Sequence, residues 1–97
     1  MAIKTTINYS PNFSIKKRYK KNIKFIIFHY TGMKKESEAI NRLTNLQSEV
    51  SCHFFIKNNG EIIKIVPETY VAWHAGKSSW ERYKSLNRYS LGIEIRS

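Results

Sequence analysis

The sequence predicts an α/β or α+β domain built on a mixed β-sheet. Three patterns point there: an apolar run at residues 24–29, a helical periodicity over residues 36–47 and a hairpin signal within residues 52–66. A fourth, period-two pattern at residues 90–96 predicts the closing strand. The chain has 97 residues, which is the length of one domain rather than two.

The first strand is predicted where the apolar run Phe25-Ile26-Ile27-Phe28 occurs. The run is continuous and rich in β-branched and aromatic residues, which is typical of a strand buried on both faces. It ends at His29-Tyr30-Thr31-Gly32, so polar residues follow the carboxyl end of the strand. Ligands bind at that end of the strands in open α/β sheets.

A helix is predicted over residues 36–47. Its apolar stripe recurs at helical spacing and comprises Ala39, Leu43, Leu46 and Val50. Glu36 and Glu38 would lie in the first turn, where acidic side chains interact favourably with the helix dipole. The pattern therefore indicates an amphipathic surface helix.

The hairpin is predicted around Asn59-Gly60, the preferred pair for a two-residue type I′ turn. Such a turn pairs Asn58 with Glu61 and thereby sets the register of both strands. The wholly apolar face of the hairpin would then comprise Cys52, Phe54, Ile56, Ile63 and Ile65. The same register puts His53 on the less apolar side, and Pro67 ends the second strand.

Periodicity is weak between residues 68 and 89. The runs Trp73-His74-Ala75-Gly76 and Ser78-Ser79-Trp80 are typical of a loop with aromatic anchors. In the closing strand the two sets of alternating side chains are Leu91, Ile93 and Ile95 on one side, and Gly92 and Glu94 on the other.

The charge is strongly positive. Seventeen Lys and Arg residues face seven acidic residues, all of them Glu, for a net charge of +10. Such a surface attracts nucleic acid, anionic lipid or another anionic polymer, although a nucleotide-composition bias explains the same counts equally well. The densest basic run, Lys16-Lys17-Arg18-Tyr19-Lys20-Lys21, is either a nucleic-acid-binding segment or, more commonly, a solvated arm. We therefore divide the chain into a basic lead-in at residues 1–22 and a domain portion at residues 23–97.

Several classes of protein are excluded. The single cysteine, Cys52, excludes an internal disulfide framework. No apolar run approaches the roughly 18–20 residues that span a bilayer, and residues 1–9 lack the apolar core of a secretion signal. We expect no membrane span and a cytoplasmic location, with action outside the cytoplasm left open. The absence of Asp excludes a Ser/His/Asp triad.

Residues that could bind a metal or take part in catalysis occur at four places in the sequence. His29 at a strand end is a metal ligand, an acid/base group or a hydrogen-bonded structural residue. Cys52-His53 is a zinc-ligand pair or core packing, and Trp73-His74 lines a cleft or covers the edge of the core. Glu94 on a strand must pair, bind metal or act as a base, and a salt bridge is its plain alternative. Spacing alone leaves these alternatives open.

Five groups of residues, in this order, carry a family resemblance. They are Phe28-His29-Tyr30-Thr31-Gly32, then Val50-Ser51-Cys52-His53-Phe54-Phe55-Ile56, then Asn59-Gly60 with Val66-Pro67-Glu68, then Ala72-Trp73-His74-Ala75-Gly76, and last Leu86-Asn87-Arg88-Tyr89-Ser90-Leu91-Gly92-Ile93-Glu94-Ile95. Together they resemble the zinc-dependent N-acetylmuramoyl-L-alanine amidases, a superfamily with phage lysozyme-type amidases, bacterial muropeptide-recycling amidases and peptidoglycan recognition proteins. The resemblance implies a mixed central sheet flanked by helices, with a zinc site at the edge of the sheet.

The resemblance also implies a reaction, which is hydrolysis of the amide between the lactyl group of N-acetylmuramic acid and L-alanine of the stem peptide. His29 matches the family's first zinc ligand, and Glu94 matches a catalytic base. Tyr30, Trp73 and His74 lie where members bind substrate, so peptidoglycan or a muropeptide is the expected partner. In phage-type members a catalytic tyrosine occupies the position of Cys52, so that role is not carried over.

The chain departs from the family pattern at its end. Members take two more zinc ligands and a catalytic lysine from a segment of the form Gly-His-x-Asp-Ile … Lys-x-Asp-Pro-Gly, and this chain ends before it. Catalytic zinc needs three protein ligands. We therefore expect the C-terminal part of the fold to be missing, one apolar face of the sheet to be exposed, and the last strand to be an open edge.

Three hypotheses follow from these patterns. The first is a shortened or split amidase that is inactive alone and has a separately encoded C-terminal fragment as a partner. The second is a non-catalytic remnant that binds peptidoglycan or a muropeptide. A nucleic-acid binder is the least favoured, because no nucleic-acid motif accompanies the charge.

Overall fold

The structure is a computed structural model that describes residues 3–75, 79–80 and 83–96. Its strands are β1 (Thr5–Ile7), β2 (Phe13–Ser14), β3 (Phe25–Tyr30), β4 (Phe54–Ile56), β5 (Ile62–Lys64), β6 (Val71–Ala72), β7 (Ser79–Trp80), β8 (Tyr83–Lys84) and β9 (Ser90–Ile95). The α-helix in this part of the chain is α1 (Glu36–Thr44), and short 3-10 helices cover Lys20–Asn22, Leu46–Ser48 and Leu86–Tyr89.

The central sheet has five strands in the order β1-β5-β4-β9-β3. Strands β3 and β4 both run parallel to β9, β1 runs parallel to β5, and β4 and β5 form an antiparallel hairpin. The predicted mixed sheet is thus confirmed, and α1 flanks it. Two smaller pairs, β2 with β6 and β7 with β8, lie outside the sheet. The predicted loop run at 76–78 lies outside the described residues, while residues 79–80 form β7 rather than a loop.

Helix α1 ends three residues earlier than predicted. Ala39 and Leu43 are buried, but Leu46 is 63% exposed and belongs to the 3-10 helix. The break occurs at Asn45, whose backbone is extended and whose side chain accepts a hydrogen bond from the Gln47 backbone N–H. A side chain that caps a new turn competes with continuation of the helix.

The turn of the β4–β5 hairpin has three residues rather than two. The N–H of Lys57 donates to the carbonyl of Glu61, the N–H of Gly60 donates to that of Lys57, and Gly60 has a φ of +88°. This is the geometry of a type I turn followed by a glycine in the left-handed region.

The extra loop residue moves the register by one, so the residues of β4 change face relative to those of β5. Phe55 pairs with Ile63 on the buried face, which His53 and Ile65 join, whereas Phe54 pairs with Lys64 on the other face. The predicted pairing of the hairpin and the predicted position of His53 are therefore wrong. Cys52 is fully buried, as its apolar neighbours suggested.

Strand β3 is not buried on both faces. It lies at the edge of the sheet, and Ile26, Phe28 and Tyr30 are 57%, 55% and 69% exposed. Its register with β9 puts these three residues beside Leu91, Ile93 and Ile95. We call the surface formed by these six residues the open face, because in the part of the chain that the structure describes no helix packs on it. Ala39 and Leu43 of α1 pack instead in the cluster that contains Phe55 and Ile63.

The exposed apolar face therefore matches its prediction, but the predicted edge does not. Strand β9 lies between β4 and β3 and is an interior strand. The edge is β3, because the parallel pairing of β3 with β9 leaves the other side of β3 without a strand among the described residues.

The basic segment is built into the same domain from Ile3 onward. Strand β1 adds to the sheet, and the buried Asn12 side-chain amide donates to the carbonyls of Asn45 and Val50, at 2.8 Å each. Arg18 donates to the carbonyls of Glu68 and Asn87, at 3.0 and 2.9 Å. The predicted boundary after residue 22 is therefore not a boundary in the fold. No helix among the described residues has the length and apolar character needed to cross a membrane.

Candidate active site

The pairing of β3 with β9 brings two predicted site residues together. His29 and Glu94 are direct register partners on adjacent parallel strands and share the face opposite the open face. We call this surface the site face and define it by His29, Glu94, Phe55 and Gly92. Burial raises the pKa of the Glu94 carboxyl, while the charges of His29 and Arg42 oppose that rise. A carboxylate with a raised pKa is suited to accept a proton near neutral pH.

His74 lies between His29 and Ser90. Its Nδ1 is 3.0 Å from Nε2 of His29, and its Nε2 is 2.9 Å from Oγ of Ser90. Burial lowers the pKa of His74 to about 3, with smaller contributions from the charges of His29, His53 and Arg18. The imidazole of His74 is therefore neutral at physiological pH.

Gly92 provides the space for the His74 ring. A Cβ at this position would lie 2.5 Å from Cδ2 and 2.8 Å from Nδ1 of His74. Real Cβ atoms do not approach so closely, so only glycine permits this contact between the ring and the strand. A glycine inside a strand often marks such a close approach.

His53 is a structural histidine. Its Nδ1 accepts a hydrogen bond from the N–H of Gly92 at 3.0 Å, so the ring proton lies on Nε2 and is donated to the carbonyl of Tyr70 at 2.8 Å. A guanidinium nitrogen of Arg18 also lies 3.1 Å from Nε2, but both groups are then donors and this contact is not a hydrogen bond. Burial lowers the pKa of His53 to about 4. Both ring nitrogens are occupied by the backbone.

Cys52 is also unsuited to metal binding. Burial, together with the nearby charge of Glu94, raises the pKa of its thiol, and the thiol donates to the carbonyl of Phe54 at 3.2 Å. Both residues are fully buried, and both ring nitrogens of His53 bind backbone groups. The geometry therefore favours core packing over the alternative of a Cys52-His53 zinc pair.

Comparison with known proteins identifies the family. The family model described as N-acetylmuramoyl-L-alanine amidase matches residues 19–97. The chain belongs to this family. The amidase AmiD of Escherichia coli (strain K12) is 39% identical to it over an alignment of 80 residues that covers 75% of this chain and 28% of AmiD.

Solved structures agree with the amidase fold. A crystal structure of a selenomethionine derivative of AmpD covers 100% of this chain, with a TM-score of 0.78 and 23% identity, which shows the fold alone. The complex of Escherichia coli AmiD with the substrate anhydro-N-acetylmuramic acid-L-Ala-D-gamma-Glu-L-Lys covers 78% of this chain, with a TM-score of 0.69 and 36% identity. This chain spans only 63% of the AmpD chain and 31% of the AmiD chain in these structures.

The described residues of this chain do not make a zinc site by themselves. They contain no group of three or more His, Cys, Asp or Glu side chains that could hold a metal ion. His29 is one imidazole on the site face, whereas catalytic zinc takes three protein ligands. His29 fits as one ligand, and the set is incomplete without residues from elsewhere.

The other predicted substrate contacts lie apart from this pair. The indole N–H of Trp73 donates to Oγ of Ser14 at 3.2 Å, and its backbone N–H donates to Oγ of Ser51 at 2.9 Å. Tyr30 belongs to the open face, because adjacent residues of a strand point in opposite directions. The structure therefore groups His74, but not Tyr30, with His29 and Glu94.

Sequence reasoning did not single out Ser90 or Asn87. The Asn87 side-chain oxygen accepts hydrogen bonds from the backbone N–H groups of His74 and Ala75, at 3.2 and 2.8 Å. Ser90 binds the His74 ring itself. The period-two pattern includes Ser90 but assigns it no contact, and Asn87 lies outside that pattern. Gly92, inside the predicted strand, is a sequence signal for a close contact at this place.

Proposed function

We propose that this chain contributes the His29 and Glu94 half of the active site of an N-acetylmuramoyl-L-alanine amidase. The reaction is hydrolysis of the amide between the lactyl group of N-acetylmuramic acid and L-alanine of the stem peptide. The observation that carries the proposal is the register pairing of His29 and Glu94 on one face of the sheet, in a chain that belongs to this family.

Glu94 is the proposed catalytic base. Its partly buried carboxyl has a raised pKa, and it lies beside the residue proposed to hold the metal. In this role it accepts the proton of the water that attacks the scissile carbonyl and returns a proton to the departing amine.

Zinc is the proposed cofactor, and His29 is one of its proposed ligands. When bound, zinc polarises a carbonyl and lowers the pKa of a bound water. Two further ligands must come from outside the described residues, because these hold no set of three. A segment of the form Gly-His-x-Asp-Ile … Lys-x-Asp-Pro-Gly is the proposed source.

Muropeptides are the proposed substrates. The solved AmiD complex contains anhydro-N-acetylmuramic acid-L-Ala-D-gamma-Glu-L-Lys as its substrate, and this chain is 36% identical to AmiD in that comparison. We retain Trp73 as a proposed substrate contact because it directly precedes His74. A direct contact of Tyr30 or His74 with substrate stays a prediction, as does a cytoplasmic location.

The test combines two polypeptides. The chain is incubated with zinc and an anhydromuropeptide, alone and with a second polypeptide that carries the segment named above, and released peptide is measured by mass spectrometry. We expect release only in the combined sample. There, Glu94→Gln should lower the rate about 10²–10⁴-fold, while Glu38→Gln, at an exposed position in α1, should not change it. No release in either sample contradicts the proposal.

A non-catalytic muropeptide-binding protein is the second candidate. The absence of a three-ligand set among the described residues favours it. Equilibrium dialysis against zinc and against a muropeptide separates the two functions. Tight muropeptide binding without bound zinc, in the presence of the second polypeptide, would support this candidate against the enzyme.

A further inference from the structure

Four groups on the site face form a continuous hydrogen-bonded chain. The Ser90 hydroxyl oxygen lies 2.7 Å from the carbonyl oxygen of Leu86 and 2.9 Å from Nε2 of His74. Nδ1 of His74 lies 3.0 Å from Nε2 of His29. The chain therefore links a fixed backbone carbonyl to the predicted metal ligand.

The direction of this chain follows from counting protons. A carbonyl oxygen can only accept, so the one proton of the Ser90 hydroxyl is donated to Leu86. The Ser90 oxygen then has no proton for His74 and must accept one instead. Nε2 of His74 therefore carries the ring proton.

The same count continues to His29. A neutral imidazole has one N–H, so Nδ1 of His74 has a lone pair and is an acceptor. The group that faces it, Nε2 of His29, must be the donor. No other hydrogen-bond partner of the His29 ring occurs among the residues that the structure describes, so Nδ1 of a neutral His29 keeps its lone pair.

Three contacts hold His74 where this chain needs it. Gly92 leaves room for the ring against the strand, and Asn87 binds the His74 backbone N–H. Ser90 binds the ring. Contacts to the backbone and to the ring of His74 thus both hold the residue in position.

We propose that His74 is a positioning residue that fixes His29 in the Nε2–H form and presents Nδ1 of His29 as the free lone pair of the site. Metal-binding histidines commonly donate their second ring N–H to a neighbouring acceptor, which fixes the ring and its tautomer. Here that acceptor is a neutral imidazole rather than a carboxylate. The tautomer of His29 does not depend on the proposed function. Only the claim that Nδ1 of His29 binds zinc rests on that function.

The test reads the tautomers directly. The 97-residue chain is labelled with ¹⁵N-histidine, and long-range ¹H–¹⁵N spectra near neutral pH distinguish a protonated from an unprotonated ring nitrogen. We expect His29 and His74 both to carry their proton on Nε2. A metal-free sample suffices, so a failure of the amidase proposal, read by peptide release, is distinguishable from a failure here.

Ser90→Ala removes the acceptor for Nε2 of His74. His74 is then free to move its proton to Nδ1 and donate to His29, so the ratio of the Nε2–H to the Nδ1–H form of His29 should fall about fivefold. Thr44→Val is the matched control. The Thr44 hydroxyl also donates to the carbonyl four residues earlier, that of Ile40 at 2.8 Å, but it lies outside the site, so its removal should leave the ratio unchanged.

Two results overturn the proposal. One is a proton on Nδ1 of His29 in the unaltered chain, and the other is an unchanged tautomer ratio in a folded Ser90→Ala variant. If the amide spectrum shows that Ser90→Ala is unfolded, Ser90→Cys carries the test, because it nearly preserves the volume while a thiol is a poor acceptor. The ratio should fall in this variant as well, and an unchanged ratio again contradicts the proposal.

Discussion

The two faces of the central sheet are built on opposite principles. On the site face, the ring of His74 lies within hydrogen-bonding distance of His29 and Ser90 and packs against Gly92. The open face carries apolar side chains, three of which on β3 are more than half exposed. Strands β3 and β9 contribute to both faces, because successive residues of a strand point to opposite sides, and Phe55 of β4 adds to the site face.

The two faces differ in how strongly they depend on fixed atomic positions. Hydrogen bonds on the site face are directional and weaken if one partner moves. Contacts on the open face are apolar and non-directional, and among the described residues they lack a covering element. Substitutions on the site face should therefore cost more free energy of unfolding than equivalent substitutions on the open face.

Among the residues in contact with His74, Gly92→Ala should disrupt the site face most strongly. The new methyl group would overlap the His74 ring, and the Gly92 backbone cannot retreat because both its N–H and its carbonyl bind His53. We expect a loss of about 3 kcal/mol in the free energy of unfolding, measured by urea denaturation.

Gly60→Ala is the control for the glycine itself. A Cβ at this position meets open space, but φ is +88°, so we expect only about 1 kcal/mol from backbone strain. Equal losses for the two variants would contradict the assignment of the Gly92 effect to the His74 ring.

Acid should also weaken the site face, through its buried neutral histidines. The pKa of His53 is lowered to about 4 in the folded chain, whereas an unfolded histidine has a pKa of about 6.5. The unfolded state therefore binds more protons below pH 6.5, and stability is full above that pH and falls as pH drops towards 4. By pH 5 the loss from His53 alone should be about 2 kcal/mol.

Urea denaturation from pH 7.5 to pH 5 measures this loss, and the ¹⁵N shifts of His53 show whether the ring stays neutral. His74 acts in the same direction, because its pKa is also lowered. Glu94 acts in the opposite direction, because its pKa is raised and its folded form takes up a proton more readily as pH falls. Stability that does not change between pH 7.5 and pH 5 would mean that His53 is not buried in neutral form.

Asn87→Ala should have an intermediate effect. It removes the acceptor for the backbone N–H groups of His74 and Ala75, and partly buried donors without a partner cost about 1–2 kcal/mol. Asn41→Ala, at an exposed position in α1, should change stability by less than about 0.5 kcal/mol. The ¹⁵N tautomer ratio of His29 in Asn87→Ala shows whether the loop change also reaches the site, and an unchanged stability would contradict the anchoring role of Asn87.

The parts of the fold that sequence predicted well are those that local chemistry determines. Alternation correctly placed the side chain of Glu94 on the other side of the strand from Leu91 and Ile93. The apolar run at residues 24–29 predicted both ends of β3 to within one residue. The family resemblance assigned His29 and Glu94 to one site, and the register makes them neighbours, while their roles stay predictions.

The parts that failed depend on contacts between distant residues. Asn59-Gly60 is compatible with a two-residue or a three-residue loop, and the choice moved the residues of β4 to the other face relative to those of β5. The apolar run of β3 has the composition of a strand that is buried on both faces. Composition alone does not reveal whether a second layer covers the strand. The His74 contacts were beyond prediction, since they join residues 29, 74 and 90, whose proximity exists only after folding.

The smallest effect is expected on the open face, where Phe28 and Phe55 make a matched pair. Phe28 is 55% exposed on β3, whereas Phe55 is fully buried on the site face of β4. Phe55→Ala should cost about 3–5 kcal/mol, the usual range for a buried phenylalanine. Phe28→Ala should change stability by about 0.5 kcal/mol or less and should reduce self-association measured by sedimentation, because it removes apolar surface. A loss at Phe28 as large as that at Phe55 would show that the open face is covered in solution, and sedimentation would then show whether a second copy of the chain covers it.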